Sequence, residues 1–432
     1  MYDFGAPSPA NTATRLPWRN SGWAGVRPTV WFLGLTSLLT DVSSEMVTSV
    51  LPMYVVLQLG LTPLALGALD GIYQGAAAVV RTLSALVADR LGRHKTVAVA
   101  GYATSALAKL GYLAAGTAWP ALTGVIVADR LGKGIRTAPR DALIAQHSSL
   151  SHLATSFGAH RAMDAAGAAL GPLAAFAILW LVPGRFDQVF LASFCVAIVG
   201  VAALVLLVHA PVVGAPTAPR TRVSVALALR TVAAPGFRLL VIAACVLSVA
   251  SVSDALLYLI LQRALAFDAA RLPLLYVGTP VCYFILAGPL GTLADRLGTR
   301  RMFLAGHVCL LLVYVLLALA PAGPALLGAC LLLLGAYYAA TDGVLAAMAS
   351  AVLPGHARAT GLSVLATGTS VARAVAAVAF GAIWTYRGSA QALAVFAVAL
   401  LGAIAAGRML LMPHLGEWSG TDTRTPLRDK EQ

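Results

Sequence analysis

The residues of this sequence that could do chemistry are ionisable side chains placed inside long apolar stretches. Asp41 and Glu45 lie four residues apart in the first such stretch, so a helix would carry both carboxylates on one face. Two coupled carboxylates in a low-dielectric cavity titrate in separate steps, which suits the binding and release of a proton or a cation. A purely structural hydrogen-bonding role for the pair is the alternative interpretation.

The fourth apolar stretch carries a second group of charges in its latter half. Its ionisable residues are Asp129, Arg130, Lys133, Arg136, Arg140 and Asp141. Positions 129, 133, 136 and 140 follow the four-three-four spacing of one helix face, which predicts that they line an inner cavity or pair with acidic neighbours. The run Gly132-Lys133-Gly134 lacks the glycine spacing and the Ser or Thr of a phosphate-binding loop, so no nucleotide site is predicted.

The fifth stretch opens with His160, Arg161 and Asp164, which helical spacing brings together. One interpretation is a paired network that neutralises Arg161, and the other is a proton relay through the imidazole and the carboxylate. His160 and Met163 lack the further ligands of a soft-metal site, so no metal is predicted here.

The second half of the chain has its own deep charges. Asp254 holds the place in the seventh stretch that Asp41 holds in the first, and Asp342 and Arg373 are candidates to pair across neighbouring helices. Such groups are costly in a membrane, and each is therefore a functional hypothesis. Asp70 and Lys109 lie nearer the ends of their stretches, so we expect them to snorkel towards the outer surface.

These charges must be positioned by helices that cross a membrane. The chain has 432 residues, of which 59% are hydrophobic and 11% charged, whereas a soluble domain carries roughly 25% charged residues. Twelve apolar stretches have about the 20 residues that a spanning helix needs. They begin near Thr29, Leu64, Thr96, Trp119, Phe157, Val189, Phe237, Pro273, Met302, Pro324, Thr360 and Ala390. The sequence therefore predicts an all-α integral membrane protein with twelve transmembrane helices.

The five cysteines lie inside or at the edges of these stretches without C-x-x-C spacing. We expect them to be small buried apolar residues rather than disulfide or metal ligands. They are Cys195, Cys245, Cys282, Cys309 and Cys330. No cofactor is predicted.

A linker rich in Pro and Arg divides the chain into two halves. The predicted parts are a cytoplasmic tail at 1–28, a six-helix bundle at 29–209, a cytoplasmic linker at 210–236, a second six-helix bundle at 237–412 and a cytoplasmic tail at 413–432. Most loop Arg and Lys residues fall on the side of the two tails, which predicts that both termini are cytoplasmic. This asymmetry accounts for the net charge of +13 without a nucleic-acid partner.

A repeated segment supports duplication of the two halves. Ala88-Asp89-Arg90-Leu91-Gly92 follows the second stretch, with Arg93 next, and Ala294-Asp295-Arg296-Leu297-Gly298 follows the eighth. The same letters also occur at 128–132, so the argument depends on the matching position of the two loop copies. Transporters are commonly built from such repeats, with the substrate site at their interface.

These loop segments resemble a motif of the major facilitator superfamily (MFS), written G-x-L-A-D-R-x-G-R-[RK]. The first copy departs from it at Ala85, Val87 and His94, and the second has Thr299 where the first has Arg93. The resemblance implies the MFS fold of two pseudo-symmetric six-helix bundles. It also implies a conformational latch formed by Asp89, Arg90, Gly92, Arg93, Asp295, Arg296 and Gly298. A basic cluster that merely fixes the topology is the alternative.

The fifth stretch resembles a second signature of the family, G-x8-G-x3-G-P, which is found in its drug/proton antiporters. Gly158, Gly167, Gly171 and Pro172 match it, whereas Ala175 and Phe176 replace its terminal glycine pair. The resemblance implies export, and ordinary packing of small residues is the alternative. The proton-coupled members place an Arg in the fourth helix, and Arg130 is the nearest candidate.

We therefore expect a monomeric secondary transporter of the bacterial plasma membrane that uses protons to export a small organic solute. The predicted coupling residues are Asp41, Glu45, Arg130, Asp164, Asp254, Asp342 and Arg373. A symporter that imports an organic anion or a metal chelate is the alternative within transport. A membrane enzyme or a sensor is disfavoured because no loop is long enough to hold a catalytic domain.

Overall fold

All regular elements in the described part of the chain are helical. The structure, a computed structural model, describes residues 26–74, 80, 93–116, 118–148, 153–209, 235–353 and 358–411. The helices are α1 Pro28–Met53, α2 63–74, α3 His94–Ala115, α4 Trp119–His147, α5 Leu153–Leu181, α6 Phe186–Leu207, α7 Pro235–Val249, α8 Asp254–Leu265, α9 Leu275–Leu297, α10 Thr299–Leu319, α11 Pro324–Val352, α12 Arg358–Arg387 and α13 Ser389–Leu411. A 3₁₀ segment, Ala269–Leu274, precedes α9. The all-α prediction is confirmed.

Nine segments in the described ranges are long and apolar enough, by length and composition, to cross a membrane. One of them, Pro235–Leu265, contains both α7 and α8. α1 and α4 have 26 and 29 residues, long enough to span, but they carry the ionisable groups that lower their hydropathy. The remaining span contains α2, of which only a part is described. These are the twelve spans that the sequence predicts.

The predicted boundaries between bundles fall mostly on residues outside the described ranges. Of the linker at 210–236, the structure describes the last two residues, and these already begin α7. The last helix, α13, ends at Leu411, next to the predicted start of the C-terminal tail.

The seventh span is broken in its middle, between α7 and α8. Tyr314 of α10 satisfies backbone groups at the break. Its hydroxyl accepts a hydrogen bond from the Val252 amide at 2.7 Å and donates one to the Ala250 carbonyl at 3.1 Å. Buried backbone groups need such partners, and in a membrane irregular backbone is tolerated only inside the protein or along a cavity. The break places Ser253 and Asp254 at the start of α8, deep in the bundle.

The two halves meet at the end of the bundle where residues 54–62, which include the π-helical turn Tyr54–Gln58, join α1 to α2. The Leu64 amide of α2 donates to the Thr385 hydroxyl of α12 at 2.9 Å. Nearby, a Cβ added at Gly71 would lie 2.9 Å from the Ala374 carbonyl oxygen, so only glycine permits this close approach. The Arg271 guanidinium lies over the Trp180 ring of α5 at 5.9 Å. We call this set of contacts the outer seam.

Candidate functional site

A cavity of about 240 Å³ lies between the two halves, next to the outer seam. The first half contributes α1 and α2, and the second contributes the α7–α8 break, α9, α11 and α12. Its polar and aromatic lining residues are Glu45, Thr48, Asp70, Tyr73, Gln74, Ser251, Ser253, Asp254, Tyr276, Tyr337, Tyr338 and Arg373. A cavity lined by both halves can be exposed to one membrane face at a time if the halves rock against each other.

Glu45 of α1 faces this cavity. Within the described part of the chain it forms no ion pair, although the charges of Lys133 and Arg130 act on it. One turn further along α1, Thr48 hydrogen-bonds the Tyr73 hydroxyl at 2.9 Å. Glu45 is therefore a carboxylate at the cavity wall that has no ion-pair partner among the described residues.

Asp41, the other member of the pair, is engaged with α4. Its Oδ1 accepts from the Arg136 guanidinium at 3.3 Å, and Arg136 is almost fully buried. The Arg136 guanidinium also lies over the Tyr102 ring of α3, 4.6 Å from the centroid. The two carboxylates that the sequence places on one helix face thus have different surroundings: Asp41 joins α1 to α4, and Glu45 faces the cavity.

His160 and Asp164 of α5 pair with each other, and Asp164 also pairs with Arg140 of α4 rather than with Arg161. Nδ1 of His160 lies 3.3 Å from Oδ2 of Asp164, and the Arg140 guanidinium lies 3.7 Å from the same oxygen. Arg140 also bonds Asp141 at 2.9 Å and donates to the Ser37 hydroxyl at 3.0 Å. The interpretation that Asp164 neutralises Arg161 is therefore wrong in this conformation: Arg161 is exposed, and the Asp164 carboxylate has His160 and Arg140 of α4 as its partners instead.

A buried charge triad joins α3 to α4. Asp129 lies 2.9 Å from the Lys109 ammonium and 2.6 Å from the Arg130 guanidinium, and the side chains are 1–2% exposed. Arg130 in turn covers the Tyr73 ring, 3.8 Å from its centroid. The expectation that Lys109 snorkels to the outer surface is wrong, since Asp129 gives its ammonium a counter-charge inside the bundle.

In the second half, Asp254 is held by a tyrosine. The Tyr338 hydroxyl of α11 donates to Oδ1 of Asp254 at 2.8 Å. Arg373 of α12 acts electrostatically on Asp254 and on Asp342, but among the described residues it forms no ion pair with either carboxylate. Asp342 is exposed. The expected pairing of Asp342 with Arg373 is thus absent from this conformation.

Two glycines of the antiporter-like motif seat α5 against α1 beside the carboxylate pair. A Cβ at Gly167 would meet the Leu38 carbonyl oxygen and lie 3.1 Å from Cβ of Asp41. At Gly171 it would lie 2.6 Å from the Val42 carbonyl oxygen and 2.9 Å from Cβ of Glu45. The other two motif residues differ from this pair. A Cβ added at Gly158 would meet no described atom within 4 Å, and Pro172 lies inside α5.

The predicted latch is only partly described. Asp89, Arg90 and Gly92 lie outside the described residues, and Arg93 is exposed at the start of α3. In the second copy, Asp295 and Arg296 are exposed at the end of α9, and neither forms an ion pair within the described ranges. Gly298 has φ 92°, which allows the tight turn into α10 that its motif position suggests.

In the described ranges, no group of three or more His, Cys, Asp and Glu side chains is arranged to hold a metal. The five cysteines are free thiols, and Cys330 is buried as expected. Cys245, Cys282 and Cys309 are only partly buried and Cys195 is exposed on α6, so the expectation of burial is wrong for Cys195 and holds only in part for the other three.

Sequence reasoning missed several residues at the cavity wall. The expectation that Asp70 lies towards the outer surface is wrong: it lines the cavity because α2 packs against α12. Tyr73, Tyr276 and Tyr338 also line it. Their signal in the sequence is weak, since an aromatic residue in a spanning helix is equally typical of packing or of the membrane interface.

Comparisons with known proteins agree with this architecture. The family model described as the Major Facilitator Superfamily matches residues 33–277 and 239–429. An uncharacterised MFS-type transporter from Methanocaldococcus jannaschii is 28% identical over 284 residues, which is 65% of this chain and 69% of the relative. An uncharacterised protein from Mycobacterium tuberculosis is 32% identical over 144 residues, 33% of this chain and 35% of the relative.

Two solved structures share the fold. The nucleoside transporter NupG has a TM-score of 0.74 at 15% identity, with 89% of this chain and 100% of that chain covered. A POT family transporter in complex with 5-aminolevulinic acid has a TM-score of 0.76 at 13% identity, with 90% and 97% covered. At this identity the likeness concerns the fold alone. From the family match and the cavity between two helical halves, the chain belongs to the Major Facilitator Superfamily and is a secondary transporter rather than an enzyme.

Proposed function

We propose that this transporter couples proton movement to the export of a small organic solute by alternating access. Glu45 carries the proposal, because it is the cavity-facing member of the carboxylate pair and forms no ion pair among the described residues. A carboxylate that faces the transport cavity can bind a proton when the cavity is open to one side and release it when it is open to the other.

The surroundings of Glu45 support its use as the proton carrier. Lys133 and Arg130 act on it electrostatically, so the ionised form has compensating positive charge nearby. Asp41 is occupied by Arg136 and therefore serves to hold α1 against α4. Arg130, which the sequence suggested for coupling, acts indirectly in this scheme, through its charge and through Tyr73.

Two features support export: the packing of α5 against α1 and the charge of the cavity wall. Gly167 and Gly171, part of the antiporter-like motif, bring α5 against α1 at the carboxylate pair. The cavity wall contains three carboxylates, Glu45, Asp70 and Asp254, and one guanidinium, Arg373. Such a wall disfavours an organic anion, which is the substrate that the symport alternative requires.

In this scheme the structure represents an inward-facing state. The outer seam is closed, and Asp295 and Arg296 of the second latch copy are exposed and unpaired within the described ranges. We propose that the protein is a monomer in the bacterial plasma membrane. The distribution of basic residues supports a cytoplasmic position for both termini.

Proteoliposomes with a trapped pH indicator test the coupling. Vesicles with an acidic interior receive lipophilic cations, organic anions or metal chelates from outside. We expect solute entry to raise the interior pH, because protons leave as the solute enters. Glu45→Gln should abolish this proton movement, whereas the control Asp187→Asn, at an exposed surface pair with Arg185, should retain it.

Two results would contradict the proposal. Proton movement in the same direction as the solute would replace antiport with symport. Coupled proton movement that survives in folded Glu45→Gln protein would remove Glu45 from the coupling site.

A further inference from the structure

The cavity wall contains a group of buried polar atoms whose hydrogen bonding is incomplete within the described part of the chain. Oδ2 of Asp70, Oγ of Ser253 and the Tyr276 hydroxyl are buried and have no hydrogen-bond partner at full bonding distance among the described residues, although Asp70 and Ser253 lie near enough to interact with each other. They come from α2, the α7–α8 break and α9, and all three residues line the same cavity. Buried polar atoms are almost always hydrogen-bonded, so a cluster of three in one cavity indicates a place for a polar group of a ligand.

The charge of this cluster is negative. Asp70 and Asp254 act on each other electrostatically across the interface between the halves, and within the described residues neither forms an ion pair. Asp254 retains one hydrogen bond, from the Tyr338 hydroxyl at 2.8 Å. Arg373 in the same wall acts electrostatically on Asp254 but forms no ion pair with it among the described residues, so the two carboxylates still favour a positively charged guest.

Aromatic rings surround these carboxylates. Tyr276 packs edge-on against the buried Tyr258 ring at 4.8 Å, so its position is fixed from behind. Tyr337 and Tyr338 form a tilted pair with ring centroids 5.0 Å apart. Tyrosine faces attract ammonium groups and also pack against apolar bodies.

We propose that the cavity binds an organic cation, with its ammonium group between Asp70 and Asp254 and its apolar body against the tyrosines. The inference rests on the proposed function only in taking this cavity as the transport site. Because Asp70 belongs to the first half and Asp254 to the second, the ammonium group joins the halves next to the outer seam.

Calorimetric titration of the purified full-length protein tests the charge preference. The probes share one shape and differ in charge: 3-phenylpropylammonium, neutral 3-phenylpropanol and anionic 3-phenylpropanoate. We expect the ammonium probe to bind about tenfold or more tightly than the alcohol, and the anion most weakly, because hydrogen bonds to charged groups are the strong ones. Equal affinities, a preference for the anion or no binding of the ammonium probe would overturn the proposal.

Substitutions locate the site. Asp70→Asn and Asp254→Asn should each weaken the ammonium probe about tenfold or more while leaving the alcohol unchanged. Asp187→Asn, at the exposed pair with Arg185, is the matched control and should bind all three probes as the wild type does. Ammonium binding that is unaffected in folded variants of both carboxylates would overturn the proposal, as would displacement of the probe by sodium ions in simple competition, which would indicate an alkali-metal site.

The binding assay and the vesicle assay fail independently. If the ammonium probe binds through Asp70 and Asp254 but its entry moves no protons, the coupling proposal fails and the organic-cation site stands. If protons move with a solute but the cavity shows no preference for the cationic probe, the organic-cation site fails and the coupling proposal stands.

Discussion

Removal of the shared counter-ion of the buried triad should destabilise the protein strongly. Asp129→Asn keeps the shape of the side chain but leaves Lys109 and Arg130 buried without the carboxylate that lies 2.9 Å and 2.6 Å from them. At such distances, with an effective dielectric constant of about 20, each attraction is about 6 kcal/mol before compensation by water. Measured losses on breaking buried pairs are smaller, about 3–5 kcal/mol, and we expect that range here.

Lys109→Met provides the matched comparison. It removes one cation and leaves Asp129 paired with Arg130 at 2.6 Å, so no buried charge loses its only partner. We therefore expect a cost of about 1 kcal/mol, well below that of Asp129→Asn.

The free energy of unfolding in mixed micelles, followed by circular dichroism as SDS is added, measures both variants. A loss in Asp129→Asn that is no larger than the loss in Lys109→Met would refute the reasoning. It would mean that the triad does not behave as two cations sharing one anion.

Two further predictions concern backbone packing. Gly171→Leu should abolish solute-driven proton movement, because its side chain would push α5 away from α1 at Glu45; Gly402→Leu, on α13 with open space around it, should retain activity in the vesicle assay. Tyr314→Phe should lower the free energy of unfolding by about 1–3 kcal/mol, since the Val252 amide and the Ala250 carbonyl lose their shared partner. An unchanged free energy of unfolding would show that the Val252 amide and the Ala250 carbonyl find another hydrogen-bond partner in the variant.

The fold could be predicted because it follows from local signals. Apolar length, Gly and Pro boundaries and the placement of Arg and Lys are properties of single segments, and they suffice to predict the spans. The pairing of Asp41 and Glu45 on one face is local too, since it depends only on helix geometry.

The site could be predicted only in part because partners come from distant segments. The difference between Asp41 and Glu45 arises from Arg136, 95 residues from Asp41 along the chain. Lys109 is buried because Asp129 faces it from another helix, and Asp70 is internal because α2 packs against α12. Position within a span gives no information on these neighbours.

Spin-label distances across the two ends of the bundle test alternating access most directly. In a chain with its five cysteines replaced, one label pair at the exposed Thr62 and Arg387 reports the outer seam. A second pair at the exposed Gln146 and Ala351 reports the opposite end. When a solute that drives proton movement is added, we expect a population in which the first distance is longer and the second is shorter. Solute transport with both distances unchanged would contradict a mechanism in which the halves rock around the cavity.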